Sequence, residues 1–159
     1  MSATTVPTLY EWAGGGERIE LLFMRFYERV RLDPVIGPVF AEMPSDHFLT
    51  VAHFVGEVLG GPKQYSADGT HGHATMVAKH LSRHLTEAQR KRWMDLLLDT
   101  ADQLAMPSDP EFRSALVGYL EWGSRIAVLN SSAVENPIDS SAPMPTWGWG
   151  ETRGPYVPK

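Results

Sequence analysis

Apolar side chains recur at three- and four-residue spacing through most of the chain, the period of helices that bury one face. In Glu17–Leu32 such a face is formed by Ile19, Leu22, Phe23, Phe26, Tyr27 and Val30, behind a break at Gly14, Gly15 and Gly16 and a short start at Leu9–Ala13. Asp33-Pro34 closes this helix, because a residue before proline is pushed out of the helical region, and Pro38 and Pro44 bracket a turn carrying Val39 and Phe40. Ser45 is placed to cap a second helix reaching Leu59, with Phe48, Val51, Ala52, Val55 and Leu59 on its stripe and His47 and Phe54 beside it. A loop rich in glycine and polar residues, Gly60–Gly72, then leads into a shorter helix predicted over Thr75–Leu85. Thr86-Glu87-Ala88-Gln89 has the form of a capping box and opens a helix with Trp93, Leu96, Leu97, Ala101 and Leu104 on one face. Ser108-Asp109-Pro110-Glu111 repeats the signal before Phe112, Leu116, Tyr119, Leu120, Gly123 and Ile126. No alternating strand pattern competes, so the fold class read from the chain is all-α.

Beyond Asn130 the period stops, and Ser131–Lys159 holds five of the twelve prolines and four serines. The expected organisation is a body over residues 1–130 and an irregular Pro/Ser/Gly-rich tail over 131–159. Trp147 and Trp149 are unusual in a solvated tail, so Met144–Gly150 is expected to pack on the body or on a partner. A chain of 159 residues with 43% apolar and 21% charged side chains suits one packed domain. Its net charge of −5 argues against gripping nucleic acid or an anionic membrane. Apolar runs fall far short of the roughly 20 residues a membrane helix needs, and Met1–Leu9 carries no targeting pattern, so the expected location is the cytoplasm. Without cysteine, any metal must be held by nitrogen or oxygen.

All six histidines fall between His47 and His84. His53, His71, His73 and His84 read most simply as surface or hydrogen-bonded residues. His80 lies on the apolar side of its helix with Met76, Val77 and Leu81, where a neutral imidazole needs a partner for each nitrogen, and a metal would satisfy one. A zinc or di-metal site drawn from His71, His73, His80 and His84 with Asp68 or Glu87 is a second option. Nucleophile elbows, phosphate-cradling loops and dinucleotide fingerprints are missing from the sequence.

An ordered set of residues carries a more specific likeness. It runs from Gly14-Gly15 through Arg25-Phe26-Tyr27, Phe40 after Pro38, Gly60-Gly61-Pro62, Tyr65-Ser66 and Gly72-His73 to His80. It continues with Trp93, thirteen residues on, and ends at Tyr119-Leu120-Glu121. Over Leu9–Asn130 this order resembles the truncated haemoglobins, most closely their second group. The resemblance implies a two-over-two helical sandwich around haem b (iron protoporphyrin IX). His80 matches the proximal histidine, the metal ligand, whose second N–H would bond a backbone carbonyl. Phe40, Val51, Phe54 and Met76 match porphyrin-packing positions, and Tyr65 and Lys79, with His73 and Arg83 as helpers, match the propionate side. Tyr27, His47 and Trp93 match the ligand-binding positions on the opposite face, Trp93 also touching the cofactor. Leu81-Ser82-Arg83 stands where this group commonly has Pro-Phe, and His47 replaces a smaller residue, which adds a candidate sixth ligand to the iron.

The resemblance implies binding of O2, with NO and CO as further ligands. Three donors around one gas molecule would slow its release, each by about 1 kcal/mol, which favours redox chemistry or sensing over bulk transport. NO dioxygenation and peroxidase-like activity are the enzymatic options, and either would need a reductase that the sequence does not name. A haem-free helical interaction module and a non-haem metal enzyme are the competing classes. The oligomeric state, a homodimer among the options, stays open.

Overall fold

Local capping decides where most helices begin. The computed structural model describes residues 5–156; the first part of Met1–Leu9 and the last three positions of the tail lie outside the described residues. Six α-helices follow in order: α1 (Leu9–Trp12), α2 (Gly16–Leu32), α3 (His47–Val58), α4 (His73–Ala78), α5 (Glu87–Gln103) and α6 (Pro110–Asn130), with a 3-10 turn at Gly37–Phe40 between α2 and α3. Thr8 and Glu11 form a reciprocal capping box at α1, as do Thr86 and Gln89 at α5. At α6 the Asp109 carboxylate accepts the Phe112 N–H, with Pro110 in the first turn.

Two helix boundaries differ from the sequence expectation. Ser45 does not cap α3, which begins at His47 with no side-chain cap. The first N–H groups are satisfied by turn carbonyls instead, His47 donating to Pro44 and Leu49 to Asp46. The helix expected over Thr75–Leu85 is only His73–Ala78. It starts earlier because the Thr75 hydroxyl accepts the Gly72 N–H at 3.2 Å. After Ala78 it gives way to tighter turns, with His80 N–H donating to Val77 and Leu81 N–H to Ala78; Ser82 and His84 beyond them are left-handed, φ 60° and 50°, and donate to the carbonyls of Ala133 and Ser131.

α2 is the central helix. It packs on α3 and on α5, and α5 packs on α6, giving one pair of helices over another. Phe23, Phe26 and Val30 of α2 are at most 1% exposed, and burying each such aromatic ring stabilises the fold by about 2–3 kcal/mol. Asp33 ends α2 and shapes the next turn: its carboxylate accepts the N–H groups of Val35 and Ile36 and, at 2.6 Å, the Arg92 guanidinium of α5. This clamp sets the 3-10 turn that presents Phe40. Gly60 has φ 98°, and a Cβ on Gly61 would run into the Tyr10 ring, which accounts for the glycine pair after α3.

The segment after Asn130 returns across the body. Trp147 N–H donates to the Val58 carbonyl at 2.9 Å, and its ring packs against Tyr119 and Trp122 of α6. Trp149 donates its indole N–H to the Pro7 carbonyl at 2.7 Å and stands against Trp12 and Phe112. Of the two options for Met144–Gly150, packing on the body is the one the structure has.

Candidate functional site

His80 sits in the turns just beyond α4, half-buried. Its Nδ1 lies 2.9 Å from the Met76 carbonyl. A carbonyl only accepts, so Nδ1 carries the hydrogen and Nε2 holds the lone pair. Burial, the largest influence, pushes this imidazole below the ordinary histidine pKa; the Met76 contact opposes that, and the charges of Arg83 and Lys79 add to it. The neutral ring thus keeps a free lone pair on Nε2, and His80 lines a cleft together with Phe54, Met76, Tyr119 and Trp122 among others. A ligating imidazole needs this arrangement, with one nitrogen fixed by a carbonyl and the other available.

Tyr27, Phe40, His47 and Trp93 form a second group. The Tyr27 and His47 rings meet edge-on with centroids 4.9 Å apart, and Tyr27 and Phe40 do so at 5.5 Å. Trp93 stands edge-on to Phe26 at 5.7 Å, and Phe26 to Tyr27 at 4.9 Å. Burial drives the Tyr27 phenol far above its ordinary pKa, with the Trp93 side chain opposing, so the hydroxyl stays protonated and able to donate. His47 is held below the ordinary histidine value first by burial, then by Lys79, His80 and Arg83. That influence reaches from the turn after α4 to α3, so the charges of that turn act on His47 across the space between the two elements.

The remaining expected residues are spread around this space. Phe54 is buried and meets Tyr65 edge-on at 5.0 Å, while Val51 lies half-buried one helical turn after His47. The Tyr65 hydroxyl and His73 Nδ1 are buried without a hydrogen-bond partner, a costly state that an incoming carboxylate would relieve. Lys79 is exposed at the end of α4, and its carbonyl receives the Arg83 side chain. Phe40 is half-buried rather than fully buried: Tyr27 and His47 cover its ring on one side only. His53 pairs with Glu20, and His71 pairs with Asp68 and Thr70 while its ring stands edge-on to Tyr65 at 5.3 Å. Among the described residues no group of three or more His, Asp or Glu side chains could hold a metal ion, which removes the support for a site built from His71, His73, His80, His84, Asp68 and Glu87.

Trp122, a cleft residue, escaped the sequence reading. It is 37% exposed and stacks on His73 with centroids 6.2 Å apart. Its one available signal was a tryptophan off the apolar stripe of α6.

The family model described as Bacterial-like globin matches residues 8–121. A group 2 truncated haemoglobin of Bacillus subtilis is 30% identical over 119 residues, 75% of this chain and 87% of the relative. The crystal structure of the group II truncated haemoglobin from Bacillus anthracis superposes with a TM-score of 0.70 at 25% identity, covering 79% of this chain and 93% of that one. A truncated oxygen-avid haemoglobin from Bacillus subtilis superposes at 0.67 with 30% identity, over 77% and 99% of the two chains.

Proposed function

The chain belongs to the bacterial-like globins, and among them to the group 2 truncated haemoglobins, and from that premise we propose that it holds haem b through His80 and binds dioxygen on the face of Tyr27, His47 and Trp93. Family membership makes it a haem-binding globin with an all-helical two-over-two fold. The residue assignments and the role are the proposal.

One observation carries it: the His80 Nδ1–H bond to Met76, which leaves Nε2 of this cleft-lining residue free to ligate. The buried, unpartnered Tyr65 hydroxyl and His73 Nδ1 support the same reading, since the propionates of a haem are carboxylates that need such partners, with Lys79 adding charge. Phe40, Val51, Phe54 and Met76 supply the apolar walls for a flat macrocycle, and Trp93 borders both cofactor and ligand. The haem iron, when bound, supplies reversible coordination of a small gas molecule.

What the chain itself contributes is donors and exclusion of water. Tyr27 keeps its proton at any accessible pH because of its burial. His47 is neutral at pH 7, so it donates through one ring nitrogen only. The Trp93 indole N–H is a donor with no accepting role. Together they favour a slowly released O2, in keeping with the relative described as oxygen-avid. NO and CO would enter the same space. The reading extends to redox chemistry or sensing rather than bulk transport, with electrons from a reductase where turnover occurs.

Haemin titration tests the core of it. Wild-type protein is expected to take up one haem and give a Soret band that shifts when dithionite and then CO are added, and His80→Ala is expected to lose that band on gel filtration. Equal retention by both would overturn the assignment of His80.

A further inference from the structure

The histidine assigned to the iron stands on weak local structure. α4 is six residues long, and His80 follows it in a series of turns. A helix that short has no stability of its own in water. Something outside it must fix where His80 points.

The contacts that do so come from beyond residue 130, outside the span matched by the family model. Ser82 N–H donates to the Ala133 carbonyl and His84 N–H to the Ser131 carbonyl, both at 3.0 Å. Leu85 N–H donates to the Ser131 hydroxyl at 2.9 Å, and that hydroxyl in turn donates to Val128 at 2.7 Å. On the other side of His80, the Asn136 amide donates to the Ala74 carbonyl at 2.8 Å. Asn136 is itself oriented, since its side-chain oxygen accepts the Ile138 N–H at 3.0 Å. Ser131 is 1% exposed, so its bonds are shielded from competing water. The segment therefore grips the chain both before and after His80, and its carbonyls receive the N–H groups of Ser82 and His84, the two left-handed residues that follow His80.

We propose that residues 131–136 are a proximal brace, in which Ser131 and Asn136 act as positioning residues that aim His80 at the cofactor. This rests on the reading of His80 as the haem ligand. The brace occupies the role that a rigid Pro-Phe pair after the proximal histidine would otherwise fill, where this chain has Leu81-Ser82-Arg83.

Two variants of the full chain separate positioning from bulk stability. Asn136→Asp keeps the shape and the acceptor for Ile138 but removes the donor to Ala74. Ser131→Ala removes the hydroxyl under Leu85, and Ser131→Thr restores it. In haemin-loaded protein, both removals are expected to speed haem release to an excess of an apoglobin scavenger by about fivefold, the effect of one lost hydrogen bond. The ferrous iron–histidine stretching band should shift or broaden, while the CO-complex spectrum, which reports the opposite face, stays unchanged. Ser131→Thr should recover the wild-type band. Unchanged release and an unchanged band in both variants would overturn the brace. Amide hydrogen exchange on haem-free protein gives an arm that does not depend on the cofactor: Ser131→Ala should expose Leu85 and with it the His80 amide, now bonded to Val77 at 3.0 Å. Exposure of Leu85 without His80 would count against positioning. Failure of wild-type protein to bind haemin would instead overturn the His80 assignment, leaving the exchange result to decide the brace.

Discussion

His47 meets Tyr27 edge-on with ring centroids 4.9 Å apart and planes at 81°, so the imidazole edge and the phenol are held as one unit. The contact joins α3 to α2 and limits how either ring can turn toward a bound gas.

Removing the Tyr27 hydroxyl alone should therefore speed ligand loss without loosening the fold. Tyr27→Phe is expected to raise the O2 dissociation rate about five- to tenfold, the effect of one donor, with the melting temperature within a few degrees of wild type. Stopped-flow release with CO as trap measures it. A rate already as fast as a carrier's in wild type would count against the sensing or redox role.

Acid should weaken the haem-free fold in a histidine-dependent way. His47, His73 and His80 are all held below the ordinary value of 6.5, in each case with burial as the largest cause. The unfolded chain therefore binds protons first, and stability present above pH 6.5 is lost as the pH falls toward the folded values. Thermal melts between pH 7.5 and 5, a span of about 2.5 units around the histidine range, should show a falling midpoint. The slope should be shallower in His47→Gln.

Asp33 gives the opposite group type and the same sign. Burial alone would raise its carboxyl, but the N–H groups of Ile36 and Val35 and the Arg92 guanidinium outweigh that and hold it below the usual carboxylate range. Its contribution is present above the unfolded value and lost as pH drops through the folded one. Asp33→Asn is expected to cost about 2 kcal/mol, because one oxygen anchoring a buried turn becomes a donor. Urea melts would show it as a lower midpoint at an unchanged slope.

Trp149→Ala should destabilise by about 2 kcal/mol, less than a fully buried tryptophan, because the residue is only partly buried. The same substitution should quench little of the Trp93 environment. Denaturation followed by circular dichroism checks the first statement, and the unchanged Soret position of the haemin-loaded variant checks the second.

The helices were legible because their apolar faces and caps are local signals: Thr86 with Gln89 and Asp109 with Phe112 act over three residues. The turns that replace the predicted last part of α4 were not, because they are held by bonds such as that of Ser82 to Ala133, 51 positions away. The ligand set at the site came from an ordered likeness, with His80 alone marked by its position on an apolar face. Phe40 was matched to a porphyrin-packing position through the likeness alone, and its half-buried setting depends on where Tyr27 and His47 lie. Trp122 gave no periodic signal, since its partners His73 and Trp147 come from other parts of the chain.

The indole of Trp149 bonds to a carbonyl 142 residues earlier in the chain, so the backbone between them forms a nearly closed ring. Closing a loop of that length costs entropy that grows only with the logarithm of its size, but the cost falls due before any reward from the contact itself. The helices, whose contacts are mostly nearer in sequence, can assemble without it. Docking of the last strap of chain is then expected to follow assembly of the helices and to be lost before them, and a short covalent link between the regions of Pro7 and Trp149 would make the ring literal and remove most of that cost.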